Sequence, residues 1–341
     1  LIESTQQAVS PAEAVFRLSN GMSVAAIVLA AARLRIADAV GAGPETVAQI
    51  AAKLDANPDA LTRMLRALAA FGIFRQVNPT TYVHTDMSLA MRTDHPDRLH
   101  DRLMTGGDWG WTMWGKLPEA IRTGECAFDK VYGTDFFSYL DADPAAQDMI
   151  YSGVTAWSDQ MLPSIVDALD LNGVRTFADM GGGKGALLRM VLQRYPDIEG
   201  LLYEDERTLR VVLDDLRTGE LANRCRLASG DFFEKVEHAA DLYLFKLTLH
   251  MYDDEKVAAA LRNCAQAAAP GARVVIADPL LTDPPVHPFA SSMDLHMLLV
   301  MGGRERTEGD YKAVFERAGL RFRGVTPTDS VLHLAEGEVV A

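Results

Sequence analysis

The residue types best suited to chemistry gather around one glycine-rich turn. Phe177-Ala-Asp-Met-Gly-Gly-Gly-Lys-Gly-Ala186 reads as a strand carrying an acid, Asp179, that runs into four glycines and a helix to Arg194. A short apolar run then ends in Tyr203-Glu204, about 20 residues past the glycines, the separation of a nucleotide-binding unit. Gly230-Asp231-Phe232 follows a third expected strand. Glycines let the backbone turn sharply out of a strand and bring amides to a ligand without Cβ obstruction. Strand, glycine loop, helix and acid-terminated strand make half of a nucleotide-binding crevice.

Three chemistries compete for that crevice. Gly181-x-Gly183-x-x-Ala186 satisfies the loose dinucleotide fingerprint, so a nicotinamide or flavin cofactor is one reading. A phosphate loop fits less well, because Gly185 stands where Ser or Thr would take magnesium. The acids favour a third reading. Asp179, Glu204 and Asp231 around one crevice suit a cation rich in hydroxyl and amino donors, and would repel a pyrophosphate. S-adenosylmethionine is such a cofactor, with Asp179, Gly181, Gly183, Glu204, Asp231 and Phe232 as the expected binding residues.

A fourth strand ends in Lys246-Leu-Thr-Leu-His250, which puts His250 at the carboxyl edge of the sheet beside the crevice. Met293, Met297 and Met301 recur at i, i+4 and i+8 of a helix from Pro288 to Met301, a stripe that suits either a core or a ligand wall. Trp157 and Met161 are weaker substrate candidates. Trp109, Trp111 and Trp114 serve either as packing between two halves or as the wall of an aromatic site. His287, His296 and the cysteines are scattered, so no metal is expected.

These residues need a scaffold. Strands expected at 175–179, 200–204, 224–228, 241–247 and 272–277 alternate with helices near 185–194, 207–215, 254–268 and 308–318. A terminal pair follows near 320–326 and 330–335. That alternation predicts an α/β fold, a parallel Rossmann-like sheet with an antiparallel edge and ligands at the carboxyl ends of its strands. Ahead of it, Ser10 to Val40 reads as helical. Thr46 to Leu54, a turn, Ala60 to Leu68 and a small hairpin to His84 follow the pattern of a winged helix. The expected divisions are 1–105 for this N-terminal region, 106–150 for a connector and 151–341 for the catalytic domain. Within the connector, Lys116 to Thr123 reads as helical and Gly124 to Gly133 as irregular.

Composition narrows the function classes. With 341 residues, 48% hydrophobic and 23% charged, the chain can build two real cores. Its net charge of −14 opposes nucleic acid or an anionic membrane as main partner, and the second winged-helix segment lacks a basic stripe. Three cysteines without paired metal spacing fit a reducing cytoplasm. The expectation is also of no secretory leader and no uninterrupted apolar run of bilayer length.

Phe177 to Gly185, Gly230-Asp-Phe-Phe233, Lys246-Leu-Thr-Leu-His250 and Gly302-Gly-Arg-Glu-Arg-Thr307 carry a resemblance. In their order and spacing the chain resembles the small-molecule O-methyltransferases that include plant caffeic acid O-methyltransferase and bacterial enzymes of aromatic polyketide and antibiotic tailoring. The resemblance implies a class I methyltransferase fold with an N-terminal winged-helix-like dimerisation domain, a homodimer, and methyl transfer from S-adenosylmethionine to an aromatic hydroxyl. It further implies His250 as general base, Asp278 and Glu305 near its imidazole, Lys246 on the cofactor side, and the methionine helix as pocket lining. Plant members commonly carry Asp directly after the base; Met251 stands there instead, so Asp278 or Glu305 must orient the ring. Some relatives lack the base or have shifted to hydroxylation or decarboxylation, and the presence of His250 favours methyl transfer.

Overall fold

A computed structural model describes residues 10–105 and 107–340. Residue 106, where the connector was expected to begin, and the first nine residues lie outside them. Two compact units emerge from the contacts. One comprises the described residues up to Gly107 together with Pro144–Trp157; the other comprises Asp108–Asp143 and the chain from Ser158 onward. The 106–150 stretch is therefore shared between the two units.

The second unit is built on an eight-stranded sheet. Its long path uses β1 (Thr176–Met180), β2 (Glu199–Glu204), β3 (Cys225–Ser229), β4 (Leu242–Lys246), β5 (Arg273–Leu281), β6 (Leu320–Pro327) and β7 (Leu332–Val339). The order is β6-β7-β5-β4-β1-β2-β3, parallel from β5 through β3 and antiparallel where β7 meets β5 and β6. A two-residue strand, Arg306–Thr307, pairs parallel with the end of β5. Leu242, Tyr243, Leu244 and Phe245 are all fully buried, which is why β4 reads as a continuous apolar run: helices cover both faces. Val257, Leu261 and Cys264 of Asp254–Ala267 and Val314 and Phe315 of Glu308–Arg317 pack into the same core as Tyr243 and Val274.

The registers fix where chemistry can sit. Met180 lies beside both Tyr203 and Phe245, and Lys246 lies beside Ala277. Gly181, Glu204, Lys246 and Asp278 consequently fall together at the carboxyl edge, where strand order reverses between β4 and β1.

Two expected elements differ. The helix near 207–215 is broken into a 3-10 turn, Thr208–Val211, and a short helix, Asp214–Arg217. Val212 is extended between them, and the Leu213 amide donates to the Lys184 carbonyl at 3.1 Å, drawing the chain back to the glycine loop. Leu216 then packs so closely that a Cβ on Gly185 would lie 2.5 Å from its Cδ1. The stretch expected to be irregular contains a helix, Ala127–Tyr132, closed by Gly133 at φ 72°.

In the first unit, Thr46 and Gln49 form a capping box that starts Val47–Leu54, and Asn57 with Pro58 starts Pro58–Ala70. Leu61, Leu65 and Leu68 bury one face of the latter against Ile36, Ile50 and Tyr82. Phe74–Asn78 and Thr81–His84 form the hairpin, with Glu45–Thr46 as a third strand. Ahead of these, Pro11–Ser19 buries no residue, and Val15, Phe16, Leu18 and Met22 are exposed. By length and composition Pro11–Arg33, 23 residues, is apolar enough to cross a bilayer; Glu13 and Arg17 interrupt the run and conceal this from a search for an unbroken one.

Candidate active site

The glycine loop is held in shape by the acids around it. Gly181, Gly183 and Gly185 take φ of 67°, 60° and 85°, values that L side chains rarely adopt. Glu204 Oε1 accepts the Gly183 amide at 2.9 Å while its Oε2 accepts from Asp205 at 2.8 Å. Burial raises the Glu204 carboxyl above the usual range, against these backbone donors. Asp179 lies fully buried beneath the loop, with its Oδ2 accepting from the Leu188 amide at 3.3 Å and its Oδ1 buried without a partner. A Cβ on Gly182 would meet its carboxyl carbon at 2.4 Å. Burial pushes Asp179 up to about 7, while Lys246 and the Leu188 amide oppose the shift and Glu204 adds to it. Asp231 is exposed and accepts from the Phe233 amide at 2.8 Å; Phe232 packs edge-on to Phe245 at 5.3 Å.

Lys246, at the end of β4, donates to Ser158 Oγ at 3.1 Å. Burial lowers its pKa against the charges of Asp179, Asp159 and Asp278. The chain then turns through Leu247 at φ 51° into a short 3-10 segment, Leu249–Met251, that carries His250. His250 is 5% exposed, and its Nδ1 lies 2.7 Å from Glu305 Oε1. Burial alone would depress the imidazolium, but the charges of Asp278 and Glu305 with the Glu305 hydrogen bond outweigh it, so the pKa rises above 6.5. Among the described residues the other ring nitrogen, Nε2, has no hydrogen-bond partner. Both Asp278 carboxyl oxygens and Glu305 Oε2 are buried without partners. Burial raises both carboxyls, against the pull of the His250 charge. The carboxylate missing at Met251 is thus supplied from position 305.

Gly303 and Arg306 lie in the Gly302–Thr307 segment, and nothing in their spacing points to a role for either. The Arg306 guanidinium is fully buried, bonds Asp254 Oδ1 at 2.8 and 3.0 Å, and donates to the Tyr252 carbonyl at 2.9 Å and the Leu249 carbonyl at 3.5 Å. It clasps the backbone on both sides of His250. Gly303 must be glycine for the same approach: a Cβ would stand 2.2 Å from the His250 carbonyl oxygen, which accepts the Arg304 amide at 2.9 Å. Asp294, on helix Pro288–Val300, accepts the Glu305 amide at 3.0 Å and anchors the carboxylate from the other side.

That helix also carries the methionine stripe. Met297 is buried, whereas Met293 and Met301 are half-buried. Met161 is buried at the start of Leu162–Ala168; Trp157 is half-buried and belongs to the first unit. His296, scattered from the other histidines in sequence, packs at 6.0 Å from Trp109 and 6.4 Å from Trp114. Trp109 is buried against Phe128 and Phe136, so the tryptophan segment is packing within the second unit; Trp114 is 42% exposed.

The O-methyltransferase domain family matches residues 114–321, and the O-methyltransferase dimerisation domain family matches residues 16–94. The chain belongs to the O-methyltransferase family. An O-demethylpuromycin-O-methyltransferase of Streptomyces alboniger is 34% identical over 91% of this chain and 84% of its own. An aclacinomycin 10-hydroxylase of Streptomyces purpurascens is 33% identical over 85% and 79%. Among solved structures, the neocarzinostatin O-methyltransferase NcsB1 with S-adenosyl-L-homocysteine and 1,4-dihydroxy-2-naphthoic acid superposes with a TM-score of 0.80, at 29% identity over 93% and 96%.

This O-methyltransferase is accordingly an S-adenosylmethionine-dependent enzyme on a class I fold. Its residues suit that cofactor: an orphaned buried acid below a positive-φ glycine loop, with a second acid at the end of β2, offers negative charge and acceptors to a cation. Among the described residues, no group of three or more His, Cys, Asp or Glu could hold a metal ion.

Proposed function

We propose that the enzyme methylates a hydroxyl of an aromatic or polyketide-derived small molecule in secondary metabolism, with His250 as general base. The 2.7 Å contact of His250 Nδ1 with Glu305 carries this reading. A carboxylate on Nδ1 selects the tautomer whose Nε2 lone pair is free. Nε2 then takes the acceptor's hydroxyl proton, and Asp278 and Glu305 stabilise the imidazolium that forms. General-base assistance of this kind contributes roughly 10²- to 10⁴-fold. Asp179, Gly181, Gly183, Glu204, Asp231, Phe232 and Lys246 hold S-adenosylmethionine, which when bound supplies an activated methyl group on a cationic sulfur. Met293 and Met301 face the acceptor with polarisable thioethers that suit flat rings.

The active species is a homodimer formed by the first unit. Its support is the match to the dimerisation domain family and the exposed apolar positions Val15, Phe16, Leu18 and Met22. Ala25, Ala26 and Ala30 extend that surface, whereas Ala31 and Ala32 are buried in the unit's own core. Three free cysteines and the acidic surface are compatible with a cytoplasmic enzyme of small molecules.

The similarity to a hydroxylase supports a second reading, a cofactor-retaining hydroxylase or decarboxylase. Labelled methyl transfer to dihydroxynaphthoates and related phenols, with products identified by mass spectrometry, separates the two. A methyl ether is expected; a hydroxylated or decarboxylated product without methyl incorporation would replace the assignment.

A further inference from the structure

We propose that Tyr311 is a positioning residue for methyl transfer: its buried hydroxyl donates, through one bridging water, to the Asp278 carboxylate and keeps that carboxylate ionised beside His250. The inference rests on the general-base reading above and deepens it.

The fold brings the two residues to one face of the sheet. Asp278 lies on β5 two positions after Ile276, and alternation along a strand puts both side chains on the same side. Ile276 packs in one core with Tyr311, Val314 and Phe315, so helix Glu308–Arg317 covers the face from which Asp278 projects. The helix is tethered over the end of β5, where Arg306 pairs with Leu280 and Thr307 with Leu281. Thr307 caps it one turn before Tyr311. On the neighbouring strand β7, His333 pairs with Asp278 and Ala335 with Ile276, so His333 shares the face as well.

Each of these three side chains holds an unpaired atom. Tyr311 is 2% exposed and its hydroxyl is buried without a partner, as are both Asp278 oxygens and His333 Nδ1. Buried polar groups left unpaired cost free energy, and a buried water commonly satisfies such a set. A water here accepts from Tyr311, donates to Asp278 and has a second proton for His333 Nδ1.

A tyrosine suits the donor's place because it keeps its proton. Burial first, then the charges of Asp278 and Glu305, hold its hydroxyl well above the ordinary value. Asp278 has need of a donor. Burial raises its carboxyl, against the charges of His250 and Arg306 and the amides of Leu247 and His250. Lys246 adds a positive charge from β4, Glu305 opposes with a negative one, and His333 faces it from β7. An Asp278 that takes up a proton no longer stabilises the imidazolium formed on His250.

The test is a double-mutant cycle on the full-length enzyme with Tyr311→Phe, Asp278→Asn and the two combined. Each is assayed with a dihydroxynaphthoate or related phenol that the wild type methylates, and folding is checked by circular dichroism. Phenylalanine keeps the ring packed in the core and removes only the hydroxyl. Tyr311→Phe should lower kcat about tenfold, the worth of one hydrogen bond to a charged group, with KM and the dissociation constant of S-adenosylhomocysteine nearly unchanged. The acid limb of kcat/KM should move to lower pH, because a less ionised Asp278 raises the His250 pKa less. In the Asp278→Asn background the same substitution should change kcat by less than about twofold, as expected of residues acting as one unit. A wild-type kcat and limb in Tyr311→Phe, or an equal loss in both backgrounds, would overturn the inference. Either result would leave the proposed function standing if His250→Asn still loses activity, whereas no methyl transfer to any phenol by the wild type would remove both.

Discussion

His250 and Glu305 are 55 positions apart in sequence, and Nδ1 of one meets Oε1 of the other at 2.7 Å. The contact is built from three sides. Arg306 clasps the carbonyls flanking His250, Gly303 lets the strap come close, and Asp294 fixes the Glu305 amide. An imidazole held this way leaves one defined nitrogen, Nε2, unbonded among the described residues, as the proposed role of general base requires.

The pH profile should report this pair. The two carboxylates hold the His250 pKa above its ordinary value against burial, so its protonated, inactive form persists to higher pH. The kcat/KM of the wild type is expected to rise with pH through a value above 6.5. Glu305→Gln removes one negative charge and should move that limb to lower pH while reducing the plateau. A limb that stays in place would mean that the profile reports another group.

Asp179 gives a separate prediction for cofactor binding. Burial first, and the Glu204 charge in addition, raise it to about 7, so near neutrality it is only partly ionised. A cationic cofactor favours the ionised form. Binding should therefore release a proton, and affinity should increase as pH rises through 7. Calorimetry in buffers of different ionisation enthalpy measures the release, which Asp179→Asn should abolish. Proton-neutral binding by the wild type at pH 7 would exclude the linkage.

Removing the Arg306 clasp should destabilise the second unit. Arg306→Met removes the guanidinium donor of three backbone carbonyls and the buried partner of Asp254, which is 30% exposed and keeps Arg304 at 4.0 Å, a loss of about 2 kcal/mol from the charged hydrogen bonds. Breaking the exposed Arg63–Asp59 pair by Arg63→Ala should barely shift the denaturation midpoint. Equal midpoints for the two variants would show that the clasp contributes little.

Much of this architecture was legible in the chain. β1, β2, β4 and β5 are buried along most of their length, so their apolar runs stand out, whereas only Ala228 of β3 is buried; positive-φ glycines mark the loop where only glycine is easily accommodated. The place of His250 follows from counting strand ends, whereas the places of Asp278, Glu305 and Lys246 around it follow from the family resemblance. The parts that were not legible depend on contacts between distant segments. Arg306 reads as a surface arginine until the backbone turn at Leu249 to Tyr252 folds around it. His296 gains its surroundings only when Trp109 and Trp114 fold onto a helix far along the chain. The 207–215 segment has helical composition, but the Leu213 amide is taken by the glycine loop.

The central claim is that His250 removes the acceptor's proton. His250→Asn, assayed across phenols of graded hydroxyl pKa with cofactor saturating, tests it most directly. The account predicts a fall in kcat of about two to four orders of magnitude for the least acidic phenols, a smaller fall for the most acidic, and nearly unchanged cofactor affinity. Wild-type rates for every phenol at every pH would contradict it and leave alignment of the reactants as the source of catalysis.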